Sequence, residues 1–518
     1  MKAFRKIVAL LIMISLAFTG AAFAATPEVI AEQTYLGMEW LADSQHENGS
    51  WGDDIARTGL ALLKFETHAL NDPEFGTPFH VDYPFKENVE NGLDYLFAHA
   101  VSTPIGLQTA GDPDSNGNGN GVVFALGGYE TYTTSIALMA IIASSTPDRL
   151  VVTGPLTGET YGDVAQDVVD YLAYGQTDPT SKFRGGWTYT ALNNNSSRSD
   201  NSISGYVVMG LAFAEHSDYG FNCTVPTFVK EELDLWVNYI QNDANGGSGY
   251  IGPGSWYNIL KTGNLLQQMA YLGYAPNDPR VEAAIGFIED YWNVANQDPG
   301  WRGSPSNYQA TFTMMKGLES YGIDILTVDG NPVDWFDEVS DVLLDEQLAN
   351  NSWPQTRYDY ETNSILSTTW ALLTLQKVSP PPVVTEIDID IRPGTIKNVV
   401  CPKPMGMLDI SILGSEEFNV KCIDEPTIRL TMNGKDMEIE PLRWAYMDMS
   451  PSHGPHQGDG YCDLILMFSM EDVLSLIEPD LECIMELTII GRDLDGVAFT
   501  GSDVIYLTAP RTAPPSFR

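Results

Sequence analysis

Basic residues are scarce in this chain: its 518 residues include 27 Lys and Arg against 69 Asp and Glu, a formal net charge of −42. Nucleic acid and anionic membrane surfaces repel such a chain, so neither is expected as a partner. Cysteine is rarer still. Cys223 stands alone, while Cys401, Cys422, Cys462 and Cys483 cluster toward the C-terminus. No C-x-x-C pair occurs, which weakens a zinc reading. In an exported protein, four clustered cysteines admit two disulfides with three possible connectivities. Beyond the N-terminus there is no apolar run of spanning length, so no membrane span is expected.

What is present begins with a leader. Lys2, Arg5 and Lys6 precede an apolar run from Ile7 to Phe18, and Ala22-Phe23-Ala24 forms a small-x-small cleavage site. Residues 1–24 therefore read as a secretory signal peptide, with a secreted, periplasmic or cell-surface protein after cleavage. The roughly 490 residues that remain exceed one ordinary core, so two or more domains are expected.

Internal repetition is the strongest signal. Six segments share a small residue, a second position that is often small, and an apolar helix: "TGLALL" at Thr58, "TSIALM" at Thr134, "SGYVVM" at Ser204, "TGNLLQ" at Thr262, "ATFTMM" at Ala310 and "TTWALL" at Thr368. Each follows another pattern of period 3.6 carrying charge on one face, as in "KEELDLWVNYIQ". Six pairs of outer and inner helices predict an all-α (α/α)6 toroid over 25–378. "SPPPVV" then reads as a proline linker at 379–384. Short alternating runs such as "TEIDIDI", "GMLDISILG", "CDLILMF" and "IMELTII" predict a smaller all-β sandwich over 385–509, and 510–518 reads as a disordered tail.

"QHENGSW", with Gln45, Gly49 and Trp51, closes the first outer helix, and degenerate copies recur at Gln176–Trp187, Gln241–Tyr250, Gln297–Trp301 and Gln347–Trp353. This resembles the QW motif of squalene cyclases, in the terpenoid-cyclase and protein-prenyltransferase toroid superfamily. A glutamine amide capping an outer helix and an indole packed over the turn would tie neighbouring pairs together. The C-terminal runs, with "GDGYCDLILMF", resemble a β module that ends many exported bacterial proteins.

The chemistry of that superfamily is not carried over with the motif. The cyclases use a DxDD acid motif just before the aligned small residue, where this chain has Asp200-Asn201-Ser202-Ile203. Serine is too weak an acid to protonate an alkene. The Asp/Cys/His zinc set of prenyltransferases and the GCGEQ thioester of complement-like toroids are absent. Four residues before each small residue stand Asp54, Glu130, Asp200, Asn258, Ser306 and Ser364, five of them preferred N-cap types, so Asp200 reads first as a helix cap. Ser306 with Gln309 forms a capping-box pattern.

Aromatics gather beside the inner-helix starts: Trp187, Tyr189, Trp256, Tyr257, Tyr308, Trp353, Tyr358 and Tyr360. They are the candidate ligand-binding residues, as aromatic faces stack on sugars. Asp53, Asp200, Asp359 and Glu361 are the candidate acids. "GDPDSNGNGNG" places Asp112, Asp114 and Asn116 as in an EF-hand loop but has Val123 at the twelfth position, so a plain Asn/Gly loop is favoured. Asp448, Asp459 and Asp463 are candidate calcium ligands in the C-terminal domain. The leading expectation is a non-catalytic exported binder of an extracellular glycan or peptide at the toroid mouth. A secreted glycan hydrolase or lyase is the alternative, and a terpenoid cyclase ranks third.

Overall fold

The computed structural model of the protein describes residues 25–125, 128–191, 198–356, 364–378, 385–395, 397–400, 406–415, 418–432, 437–448, 460–477, 484–494 and 497–507. The expected signal peptide, proline linker and C-terminal tail lie outside these residues. The chain divides into two compact units, Met1–Leu272 with Ala283–Pro381, and Gly273–Glu282 with Pro382–Arg518.

Among the described residues twelve α-helices lie before the C-terminal strands: α1 (Pro27–Asp43), α2 (Ile55–Asn71), α3 (Lys86–Ala98), α4 (Glu130–Ala143), α5 (Tyr161–Tyr174), α6 (Asn201–Glu215), α7 (Thr227–Ile240), α8 (Ile259–Tyr271), α9 (Pro279–Tyr291), α10 (Tyr308–Glu319), α11 (Trp335–Glu346) and α12 (Ile365–Leu375). The even-numbered helices other than α2's last turn are buried almost throughout where their sequences are apolar on every side, as in α4. Each packs on the next, α2 on α4, then α6, α8, α10 and α12, and α12 packs back on α2. The small second residue of the repeated signature permits this approach. A Cβ on Gly263 would stand 2.4 Å from the Thr313 carbonyl oxygen on α10.

The first residue of the signature has a different task. The Thr58 hydroxyl accepts the Trp51 N–H at 3.0 Å, Ser204 accepts Trp187 N–H at 3.0 Å, Thr262 accepts Ser248 N–H at 3.1 Å and Thr368 accepts Trp353 N–H at 3.0 Å. Thr58, Ser204 and Thr262 also donate to the cap carbonyls of Asp54, Asp200 and Asn258. Each hydroxyl thus fastens the preceding turn to the helix start.

The glutamines fasten the same turns from the other side. Gln45 Nε2 donates to the carbonyls of Gly49 and, on α3, Asn88. Gln176 reaches Gly185 and, on α7, Val229, and Gln347 reaches Asn351 and, on α1, Gln33. Gly185 has φ +81° and would put a Cβ 1.8 Å from the Glu232 carbonyl oxygen, so this turn accepts nothing larger than glycine.

The C-terminal unit holds a four-stranded sheet ordered β10-β11-β8-β6 and a second ordered β5-β13-β12-β9, with β7 pairing β13 in parallel. Their ranges are β5 (Thr385–Glu386), β6 (Ile389–Ile391), β7 (Val399–Val400), β8 (Met407–Ile412), β9 (Arg429–Thr431), β10 (Arg443–Met447), β11 (Asp463–Ser469), β12 (Ile484–Arg492) and β13 (Ala498–Leu507). Ile410 and Leu466 from one sheet share a core with Leu487 and Ile505 from the other and with Val473 of helix α13 (Met470–Leu476).

The expected all-α toroid followed by an all-β sandwich is overturned by these elements: the chain is mixed α/β, with several small sheets. Two antiparallel hairpins sit among the helices, β1 (Ala100–Pro104) with β2 (Asn120–Phe124), and β3 (Ile325–Val328) with β4 (Asn331–Asp334). Helix α13 sits among the strands, started by the Ser469 hydroxyl, which accepts the Glu471 N–H. The hairpins were hidden because their strands are only four or five residues long, too short for a period to register. Cys422 and Cys462 are free thiols, so the expected pair of disulfides does not form there; Cys401 and Cys483 lie outside the described residues.

Three lysines are buried in the helical unit, Lys64, Lys261 and Lys316, and for two of them burial shifts the ammonium strongly. Lys64 donates to Gln376 Oε1, and Lys316 Nζ lies 3.3 Å from Asn264 Oδ1. Burial pushes both ammonium groups down to about 7. A lysine whose folded pKa lies below its unfolded value takes up protons on unfolding. Stability therefore rises as pH climbs from about 7 toward 10.5, and the cost is fully present below pH 7. Lys316→Met should raise the melting temperature at pH 6.5 by about 4 °C or more, and by less at pH 10. A lower melting temperature at both pH values would show that the ammonium is structurally required. Thr262→Val leaves the Ser248 N–H without its acceptor and should cost about 1–3 kcal/mol in denaturant titration. Gly185→Ala should cost roughly 3 kcal/mol or more, from its clash and its positive φ together, whereas Gly76→Ala, with φ +62° but nothing within 4 Å of its Cβ, should cost only the backbone strain of about 1 kcal/mol.

Candidate functional site

The starts of the buried helices surround a cavity of about 540 Å³. All six contribute from their first two turns: Arg57 from α2, Tyr132 from α4, Ser202 and Tyr206 from α6, Lys261 from α8, Gln309 from α10, and Trp370 from α12. Ala56, Leu260 and Leu366 fill the equivalent positions on their helices, so the wall repeats one helical position around the cavity. Tyr129, Tyr189, Tyr250 and Trp256 also line it, from the loops.

The wall combines rings with cations. Tyr129 meets Tyr189 edge-on at 5.2 Å, and Tyr250 meets Trp256 at 5.7 Å. Tyr132 and Tyr206 are perpendicular at 5.1 Å. Lys261 Nζ stands 3.8 Å from the Trp256 ring centroid, and the Arg198 guanidinium donates to Tyr250 Oη at 2.8 Å. Tyr189 and Tyr250 hydroxyls are 3.1 Å apart. Burial, with Asp200 nearby, pushes both of these hydroxyls up, and burial does the same to Tyr132 and Tyr206. All four are neutral hydrogen-bonding groups near pH 7. The helix starts add their own positive potential.

Asp200 is a cap. Its Oδ1 accepts the Ile203 N–H at 3.0 Å and the Ser202 hydroxyl at 2.7 Å, and Oδ2 lies 3.5 Å from Arg198. The residue is fully buried beside the cavity but does not line it. Burial raises its pKa, against the opposing pull of the Ile203 N–H, the Ser202 hydroxyl and Arg198. Asp54 and Asn258 cap in the same way, accepting the N–H groups of Arg57 at 2.8 Å and Lys261 at 3.1 Å. The remaining expected caps differ. At α10 the cap is Asn307, one residue past Ser306, and it accepts the Ala310 N–H. Ser364 has φ 59° and no side-chain cap bond, and α4 begins at Glu130 after an uncapped Tyr129.

Of the expected ligand-binding residues, Tyr189 and Trp256 line the cavity. Trp187 and Trp353 are fully buried, with indole N–H groups on the carbonyls of Leu172 and Leu343. They pack the turns and do not face a ligand. Tyr308 is fully buried and donates to Glu346, and Tyr257 packs edge-on against Phe287. Asp53 is exposed and bonded to Asn48. Asp359, Glu361, Tyr358 and Tyr360 lie outside the described residues. Tyr129, Tyr206, Tyr250, Lys261 and Trp370 were missed as ligand-facing residues. The aligned helix starts carry the signal for Tyr206 and Trp370, which both stand two residues after the small one.

Two of the calcium candidates stand at one end of the β10–β11 pair, where Met447 is the partner of Asp463. Asp463 starts β11 and accepts the Gly414 N–H at 2.9 Å, Asp448 is exposed just past β10, and Asp459 lies outside the described residues. In the β1–β2 connection Asp114 accepts the N–H groups of Gly117 and Gly119, the geometry of turns. Among the described residues no group of three His, Cys, Asp or Glu is placed to hold a metal ion, and no helix is long and apolar enough to cross a membrane.

No protein-family model and no curated protein matches the chain. Among solved structures, it is similar to the N-terminal part of the bacterial S-layer protein SbsC, at 9% identity over 74% of this chain and 80% of that one, with a TM-score of 0.12. Domains 1–6 of SbsC match at 9% identity over 74% of this chain and 46% of that one, also at 0.12. A likeness at that score carries no argument about fold or function.

The capping geometry sets a clear expectation for Asp200. Asp200→Asn keeps a cap acceptor and should change stability by less than about 0.5 kcal/mol, while Asp200→Ala should cost about 1–2 kcal/mol in denaturant unfolding. Equal losses from both substitutions would show that the charge, and not the cap, is what the position needs.

Proposed function

We propose that the protein is an exported, non-catalytic glycan-binding protein whose sugar site is the cavity at the buried-helix starts. The observation that supports this reading best is the cavity wall itself, where rings from three loops and three helices surround a space the size of one or two sugar units. Trp256 is half-exposed at 50% and presents an indole to an incoming pyranose face. Hydroxyl, amide and cationic groups between the rings supply the polar contacts that fix a sugar's orientation. A hydrolytic reading has less support. Asp54 is the one carboxylate among the described lining residues, and its Oδ1 is committed to capping α2, whereas glycosidases flank the bond with two carboxyl groups.

Titration of the full chain with neutral oligosaccharides, followed by tryptophan fluorescence, tests the reading. Trp256→Ala should weaken binding roughly tenfold. Sugar cleavage detected by chromatography, or an unchanged affinity in Trp256→Ala, would sink it.

A further inference from the structure

Resting on the reading of this cavity as a sugar site, we infer that its ligand is an acidic sugar, a pyranose bearing a carboxylate, held at its charged end by Lys261 and at its oxygens by Tyr206 and Trp370. Three observations carry this. The chain has only 27 basic residues, yet two of them, Arg57 and Lys261, line one cavity in which Asp54 supplies the one carboxylate among the described lining residues. Lys261 stands over the Trp256 ring, so a sugar lying beside that indole brings a carboxylate within reach of the ammonium. Tyr206 and Trp370 are each 2% exposed and line the same cavity; the Tyr206 hydroxyl has Trp370, Gln309 and Tyr132 as polar neighbours, yet neither it nor the Trp370 indole N–H makes a hydrogen bond of ordinary geometry. Buried donors this loosely paired are costly, and here they line a space that a ligand with several acceptor oxygens would fill. The positive ends of the surrounding helices favour an anion in the same place.

The experiment compares glucuronate and glucose oligosaccharides of matched length by calorimetric titration of the full chain. The acidic series should bind about tenfold tighter at low salt, and the advantage should shrink as salt rises. Lys261→Gln should erase the preference, and Lys261→Arg should retain it. Tyr206→Phe should weaken binding of both series while leaving the melting temperature unchanged or higher, because it removes a buried hydroxyl that makes no hydrogen bond of ordinary geometry. Equal affinity for the two series overturns this inference and leaves the sugar site standing. Binding of neither overturns both. Unchanged affinity with a lower melting temperature in Tyr206→Phe also overturns it, assigning the hydroxyl to the fold. Where Lys261→Gln fails to fold, the salt dependence of the unaltered protein decides.

Discussion

A single hydroxyl at the head of five of the six buried helices organises the helical unit. Thr58, Ser204, Thr262 and Thr368 each accept a backbone N–H from the turn before the helix, and three of them also donate to the cap carbonyl. A turn entering a fully buried helix brings polar backbone groups that water cannot reach, and these must find partners inside the protein. The hydroxyl supplies one, the Asp or Asn cap supplies another, and the glutamine amide binds the carbonyls of the turn and of the next outer helix. Where the hydroxyl is missing, at Ala310, the preceding motif is also the shortened one, Gln297 to Trp301.

The cavity is a consequence of the same arrangement. Because five of the six starts are anchored by the same hydroxyl, the residues at a given offset from each anchor end up around one space. Two residues before the small one, five of the six positions face it: Ala56, Tyr132, Ser202, Leu260 and Leu366. Two residues after it, Tyr206 and Trp370 reach deeper. A repeat built for stability thereby leaves its variable positions free to form a site, and the aromatic and cationic choices made there set what the site can hold.

The candidate acid illustrates why position in a motif is not a role. Asp200 is buried beside an aromatic cavity with a raised pKa, the description of a poised catalytic carboxyl. Its hydrogen bonds show a cap, made with the same geometry as Asp54 and Asn258 at helices where no acid chemistry has been suggested.

Several features were legible in the amino-acid order: the six buried helices, the glutamine–tryptophan turns, the capping role of Asp200 and most C-terminal strands. These depend on local period, on cap chemistry and on repetition within a few residues, which a linear sequence records directly. The hairpins β1–β2 and β3–β4 and the helix α13 were not legible, because elements of four to seven residues are stabilised by what they pair with and not by their own pattern. Which tryptophans face a ligand was decided only in three dimensions. Trp187, Trp353 and Trp256 all sit beside helix starts in sequence, yet two point inward to carbonyls of their own outer helices and one stands at the cavity. The direction of a side chain depends on the neighbouring helix it meets, and that neighbour lies tens to hundreds of residues away along the chain.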